Sequence, residues 1–410
     1  MRFPMKMSLE NQDDVLSEQT DIDVSKCKVL VFCDYYLPGY KGGGPITTIR
    51  NLVTRLGNEI DFSIFTRSND LGETTSYSDV PHDLWHLYAG ASVRHATPEN
   101  LTVPNMRRML REKKPDVVYI NSLLSRKFSL LPLIAIRLEG RQMRVVIAPR
   151  GELSGGALAL KQTRKRVYLA ILRASGLLRS VVWQASSQFE EMDIRSVMGR
   201  AATVVVAPDL PSIPLEPAGR QRKAPGEAQI VFVGRISPMK NLVGALNVLR
   251  SLSGNVIFSI IGPVEDEDYW AVCKRKLAML PDNIRVDVLG PQSPESVLAS
   301  LSRFDAFFLP SLGENYAHVV FESLGAGCPV ILSNRTPWRG LAEKGVGVDV
   351  PLEAPEAMSA ALQQIIDMNE NEHLKMRTAA KAYAQSILAD GKDVQASLAL
   401  FDIRIQSNGQ

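Results

Sequence analysis

At 410 residues the chain exceeds what one ordinary core holds and suffices for two. Its 45% hydrophobic and 22% charged content is that of a globular protein, and a net charge of +3 gives no ground for a nucleic-acid partner. The longest apolar run, residues 130–136, is interrupted by Pro132 and falls short of the roughly 20 residues a membrane span needs.

Residues 1–26 are polar and mixed in charge, and they lack the apolar stretch of a secretory signal. They read as a disordered or variable tail on a cytoplasmic protein. Cys27, Cys33, Cys273 and Cys328 show no paired spacing, so reduced core thiols are expected and no metal site. An apolar strand at 28–33 leads into a glycine-rich loop and a helix over 46–56. Further strands are predicted at 62–65, 117–120, 144–147, 181–183 and 203–206, with helices at 100–113, 128–138 and 160–174. Near-continuous apolar strands alternating with helices imply a parallel sheet covered on both faces.

Residues 208–226 then carry Pro208, Pro211, Pro214, Pro217 and Pro225, with Arg220, Arg222 and Lys223 expected to be exposed, as in an interdomain linker. The strand–helix pattern restarts at 229–233. Strands follow at 256–261, 285–289, 306–309, 330–332 and 346–350, and helices at 242–252, 269–280, 294–302 and 318–326. Beyond Pro351 the chain reads as helical to about residue 403. The expected organisation is a tail (1–26), an acceptor-side domain (27–208), a linker (209–227), a nucleotide-binding domain (228–385) and a C-terminal helix (386–410) returning to the first lobe. The fold class is α/β, two doubly wound Rossmann-like domains facing a cleft, with ligands at the carboxyl ends of the strands.

Three segments carry chemistry. In the first, a buried strand at 306–309 breaks at 310–313, and a helix is predicted to begin near Asn315 or Tyr316. Its unpaired N–H groups and dipole favour an anion such as a diphosphate. Glu314, on the preceding loop, suits sugar hydroxyls, and Glu322, two turns along, suits a ribose diol. Residues 233–241 form the second segment, where Gly234 allows close approach and Arg235 and Lys240 set two cations beside a turn. The third is Gly42, Gly43 and Gly44 before Pro45, a loop whose backbone can approach phosphate or sugar, or a plain tight turn. Its spacing is neither the dinucleotide fingerprint nor a P-loop. Asp266 and Asp268 are explained by the preference for acids in a first helical turn.

Together the three segments resemble the family 4 retaining glycosyltransferases of the two-Rossmann-domain (GT-B) architecture, over nearly the whole chain after the tail. The most specific element is the pair of glutamates eight apart, Glu314 and Glu322. The resemblance implies that Glu314 contacts the donor sugar and Glu322 the ribose. It implies that Arg235 and Lys240 neutralise the diphosphate, that Gly43 and Gly44 line the cleft, and that Asn315, Tyr316 and Ala317 reach the donor. The sequence departs from the family in two places. Where many members carry a first-domain histidine, residues 148–152 hold Arg150 and Glu152, assigned to the acceptor side. The usual glycine–aromatic–glycine after the first glutamate is Asn315, Tyr316 and Ala317 here, followed by His318, which either reaches the donor phosphate or caps the helix.

The implied reaction moves a sugar from a nucleoside-diphosphate sugar to a glycan or lipid-linked acceptor with retention, in bacterial surface polysaccharide biosynthesis. No cofactor and no metal are called for, since Arg235, Lys240 and the helix terminus supply positive charge. Two rival readings are a nucleotide-sugar epimerase or hydrolase of the same architecture and a non-catalytic sugar-nucleotide-binding protein. Residues 161–179 carry six basic residues and no acid, interleaved with Val167, Leu169, Ile171 and Leu172. That helix either contacts an anionic membrane at its cytoplasmic face or covers the first sheet with its apolar side.

Overall fold

The computed structural model describes residues 26–159, 162–213, 219 and 222–401. The 1–25 tail, Lys161, Pro214, Pro217, Arg220 and residues 402–410 lie outside them.

The first sheet contains β1 (Cys27–Cys33), β2 (Ile60–Arg67), β3 (His86–Tyr88), β4 (Ala91–Ala96), β5 (Val117–Asn121), β6 (Arg144–Ala148), β7 (Val181–Ala185) and β8 (Thr203–Val206), in the order β3-β4-β2-β1-β5-β6-β7-β8. The second contains β9 (Glu227–Val233), β10 (Asn255–Ile261), β11 (Ile284–Gly290), β12 (Ala306–Leu309), β13 (Val330–Ser333) and β14 (Gly347–Val350), in the order β11-β10-β9-β12-β13-β14. Both sheets are doubly wound, as the sequence implies. Successive residues of the central strands serve opposite cores: Val29 and Val31 face one side of the first sheet with Tyr119, Leu30 and Phe32 the other with Ile120. Burial on both faces is why these strands lack alternation.

Several expectations change. The first sheet is not wholly parallel, because β3 runs antiparallel to β4 at the edge. Neither strand was anticipated, since Arg94 and His95 break the apolar pattern. Both are nonetheless buried, and His95 donates its Nε2 proton to the Leu37 carbonyl at 2.8 Å. The helix Gln188–Met198 was also unforeseen. The stretch read as a linker begins as packed chain: Ala207, Asp209, Leu210 and Ser212 are buried. Lys223, expected exposed, is buried with its ammonium on the carbonyls of Ala224 (2.8 Å), Ile366 (2.9 Å) and Glu227. Three carbonyls replace the water it loses. Arg222 is exposed.

The helical tail is three helices, Pro355–Asp367, Glu370–Asp390 and Lys392–Phe401. The second docks on the second lobe, where Arg377 donates to the carbonyls of Phe304 and Ser302, both at 2.8 Å. Gly391, in the left-handed conformation (φ 65°), ends it. The last helix lies on the first lobe, with the Phe401 ring 6.0 Å from Phe62 and 5.6 Å from Tyr119. Among the described residues no helix is long and apolar enough to cross a membrane.

Candidate functional site

The carboxyl ends of β9 and β12 adjoin, and their loops are laced together. Leu312 N–H donates to the Met239 carbonyl at 2.8 Å, and Asn241 Nδ2 to the Pro310 carbonyl at 2.9 Å. Glu314 N–H donates to the Arg335 carbonyl at 3.0 Å, which fixes the loop in front of the next helix. In that setting Lys240 Nζ donates to both carboxylate oxygens of Glu314, at 2.7 and 2.8 Å, and both side chains are mostly buried. Arg235 is more exposed and pairs with Glu265 instead.

The helix after Glu314 begins at His318, as the 318–326 stretch predicts and later than the start near Asn315 or Tyr316. Ala317 is its N-cap at φ 61°, ψ 69°, a left-handed residue that stops the helix from starting at Asn315 or Tyr316. No side chain caps this terminus, which removes the capping role allowed for His318. Tyr316 is buried against Trp338, whose indole N–H donates to the Tyr316 carbonyl at 2.6 Å. The Asn315 carbonyl accepts from Ser186 Oγ of the first lobe at 3.4 Å. Glu322 lies in the second helical turn and accepts from Ser212 Oγ at 3.1 Å. Burial raises its carboxyl above the usual range, opposed by Arg50 and by the Ser212 hydrogen bond.

From the first lobe, Gly43 caps the helix Gly44–Leu56 at φ 68°, ψ −135°, a conformation that requires glycine. A Cβ on Gly44 would stand 3.9 Å from the His318 ring, so this loop faces the second lobe's helix terminus. Thr48, one turn along, has its hydroxyl 2.9 Å from His318 Nε2 and 3.1 Å from Asp209 Oδ2. The Asp209 carboxylate also accepts from Arg150 Nη1, while Arg150 donates to Asn121 Oδ1 at 2.7 Å and to the Tyr119 hydroxyl. Glu152 accepts from Ser122 Oγ (2.7 Å) and from the Leu123 and Leu124 amides (2.6 and 3.0 Å). The polar atoms of Arg150 and Glu152 are thus engaged by first-lobe partners.

Sequence reasoning missed Asp209, Thr48, Arg50 and Ser212. The only available signal was an acid between Pro208 and Pro211 flanked by apolar Ala207 and Leu210, unusual for a solvated linker. Among the described residues no group of three or more His, Cys, Asp or Glu could hold a metal ion.

Burial pushes His318 down to about 4 from an ordinary 6.5; Asp209 opposes this, and the cations Arg150 and Arg50 add to it. The unfolded chain therefore binds a proton that the folded chain refuses between those values. Stability on this account is complete above pH 6.5 and falls as pH drops toward 4, by about 3 kcal/mol. Urea melts between pH 7 and 4 should show a shallower decline for His318→Gln; equal slopes would remove His318 as the cause.

Residues 218–386 match the family described as Glycosyl transferases group 1. A glycogen synthase of Mycobacterium tuberculosis is 28% identical over 158 residues, a match spanning 37% of this chain and 37% of that protein's length. Among solved structures, Anabaena HepE in complex with UDP and glucose is similar with a TM-score of 0.65, at 16% identity over 91% of this chain and 99% of that one. Sucrose-phosphate synthase from Thermosynechococcus elongatus is similar with a TM-score of 0.66 at 16% identity, over 91% and 99%. WaaG, a glycosyltransferase involved in lipopolysaccharide biosynthesis, has a TM-score of 0.59 at 14% identity, over 87% and 95%.

Proposed function

The fold is that of the GT-B glycosyltransferases, and from that premise we propose that this chain transfers a sugar, with retention, from a nucleoside-diphosphate sugar to a glycan or lipid-linked acceptor. The observation that carries the reading is Lys240 bridging both oxygens of Glu314 at the mouth of the helix that bears Glu322. One cation and two carboxylates then line the path from strand end to helix. On donor binding Lys240 turns to the diphosphate, and the freed Glu314 carboxylate accepts from sugar hydroxyls. Glu322 exchanges the Ser212 hydroxyl for those of the ribose.

In the reaction the bond from the anomeric carbon to the phosphate oxygen breaks, and its electron pair leaves with the diphosphate. The acceptor oxygen bonds to that carbon on the same face and passes its proton to the departing phosphate. The chain's part is charge placed in advance at the leaving group, from Lys240 and the helix N-terminus, with Arg235 joining if it leaves Glu265. A thermal-shift screen of UDP-, GDP- and ADP-sugars tests donor binding, since a ligand at 100 times its dissociation constant stabilises by about 2.7 kcal/mol. Product formation that requires an acceptor extract separates transfer from epimerisation, hydrolysis and silent binding. The anomeric configuration of the product decides retention. Glu314→Ala leaving transfer intact would sink the assignment.

We place the acceptor at an anionic membrane surface on the cytoplasmic side, in surface-polysaccharide assembly. Leu169 and Leu172 of the helix Gln162–Ala174 face the core, whereas Val167 (55% exposed) and Ile171 (61%) face outward beside exposed Arg164, Arg166 and Arg173. The helix thus covers the sheet and still presents an apolar stripe flanked by cations. Sedimentation with vesicles containing phosphatidylglycerol is expected, and a Val167→Asp, Ile171→Asp variant should lose it. Equal binding of both proteins, or binding to phosphatidylcholine alone, would refute membrane contact by this face.

A further inference from the structure

The residues that join the two lobes form one buried polar chain. Asn121 and Tyr119 hold Arg150, Arg150 holds Asp209, and Asp209 accepts the Thr48 hydroxyl. Beyond Thr48 stands His318, the first residue of the helix that follows Glu314. Thr48 and His318 are 270 residues apart and belong to opposite lobes.

The proton inventory of this chain has one solution. A carboxylate only accepts, so the single Thr48 hydroxyl proton goes to Asp209 Oδ2. His318 Nε2 must then carry its own proton and donate to Thr48 Oγ1. The reverse assignment would set the Thr48 oxygen against the carboxylate with no proton between them. His318 is thereby held as the neutral Nε2–H tautomer, consistent with burial pushing it down to about 4. Its Nδ1 is left as an acceptor, buried and without a partner among the described residues. A neutral ring offering a lone pair suits a ligand hydroxyl and does not suit a phosphate oxygen.

We propose that Thr48 is a positioning residue for the donor site. Its hydroxyl, aimed by Asp209, fixes the tautomer and orientation of His318 and registers the glycine loop of the first lobe against the helix terminus of the second. This rests on the reading that residues 314–322 bind the donor. Ligand binding at the His318 end of the second lobe should accordingly be felt in the glycine loop of the first through the Thr48 hydroxyl.

The test uses the full chain with UDP, GDP and ADP titrated separately, and hydrogen exchange of residues 44–50 with and without the nucleotide that wild type holds tightest. In Thr48→Val, affinity for that nucleotide should fall about tenfold, as for the loss of one buried hydrogen bond. Its binding should also no longer protect residues 44–50. Thr48→Ser, which keeps the hydroxyl, should restore both; a merely structural methyl contact would give the opposite ranking of Val and Ser. If Lys240→Ala loses nucleotide binding while Thr48→Val keeps wild-type affinity and protection, the positioning role alone is overturned. Wild-type affinity in Lys240→Ala, or no binding by wild type, overturns the donor-site reading and this proposal with it.

Discussion

Lys240→Ala should lower the rate of sugar transfer by about 10²- to 10³-fold, the usual loss when one preorganised group facing transition-state charge is removed. The Lys240 side chain is 18% exposed, in surroundings where water competes weakly for the phosphate. Arg235→Ala should cost less, because that side chain is 39% exposed and already paired with Glu265. A second variant separates two roles for the lysine. If Lys240 serves only to neutralise Glu314, the double change Lys240→Ala, Glu314→Ala should be no worse than Glu314→Ala alone. If it acts on the leaving diphosphate, the double variant should be worse than either single one in nucleotide-release kinetics. Turnover of Lys240→Ala within threefold of wild type would remove the lysine from the reaction.

Asp209→Ala should destabilise the protein by about 3–5 kcal/mol, since it strips the buried Arg150 guanidinium of its ion-pair partner. The two side chains are 8% and 4% exposed. Burial works against the charge on Arg150, and Asp209, joined by Tyr119 and Glu190, more than offsets it, leaving the group raised above its ordinary value. The double change Arg150→Met, Asp209→Leu should recover much of the loss, because apolar residues of similar volume often replace a buried pair at little cost. Recovery of stability would not restore Thr48 and His318 to their bonds, so nucleotide affinity should stay low. Denaturant melts decide the first point: a midpoint for Asp209→Ala equal to wild type would show that the pair holds nothing together.

The arrangement of the two sheets was legible because their central strands are apolar on both faces, a pattern that needs no knowledge of distant contacts. Val29 to Phe32 and Ile230 to Phe232 announce themselves in this way. Strands β3 and β4 did not, because Arg94 and His95 break the apolar pattern, and His95 is buried with its Nε2 on the Leu37 carbonyl 58 positions away rather than by its own hydrophobicity. The neighbourhood of Glu314 and Lys240 was legible for a related reason. Both follow apolar strands, and parallel strands of one sheet bring their carboxyl-end loops to the same edge. That these two side chains form an ion pair was not.

The amino-acid sequence by itself determined the two doubly wound lobes, the loops that carry Lys240, Glu314 and the glycine run, and the helix that carries Glu322. These follow from local periodicity and turn chemistry. Only the tertiary structure decided that Asp209 is a buried junction rather than linker, that Arg150 turns inward, and that His318 meets Thr48. It also decided that Val167 and Ile171 face outward while Leu169 and Leu172 face in. Each of these depends on how one lobe or helix docks against another. The hydrogen bonds concerned join residues 161 and 270 positions apart, a separation over which no local pattern carries information.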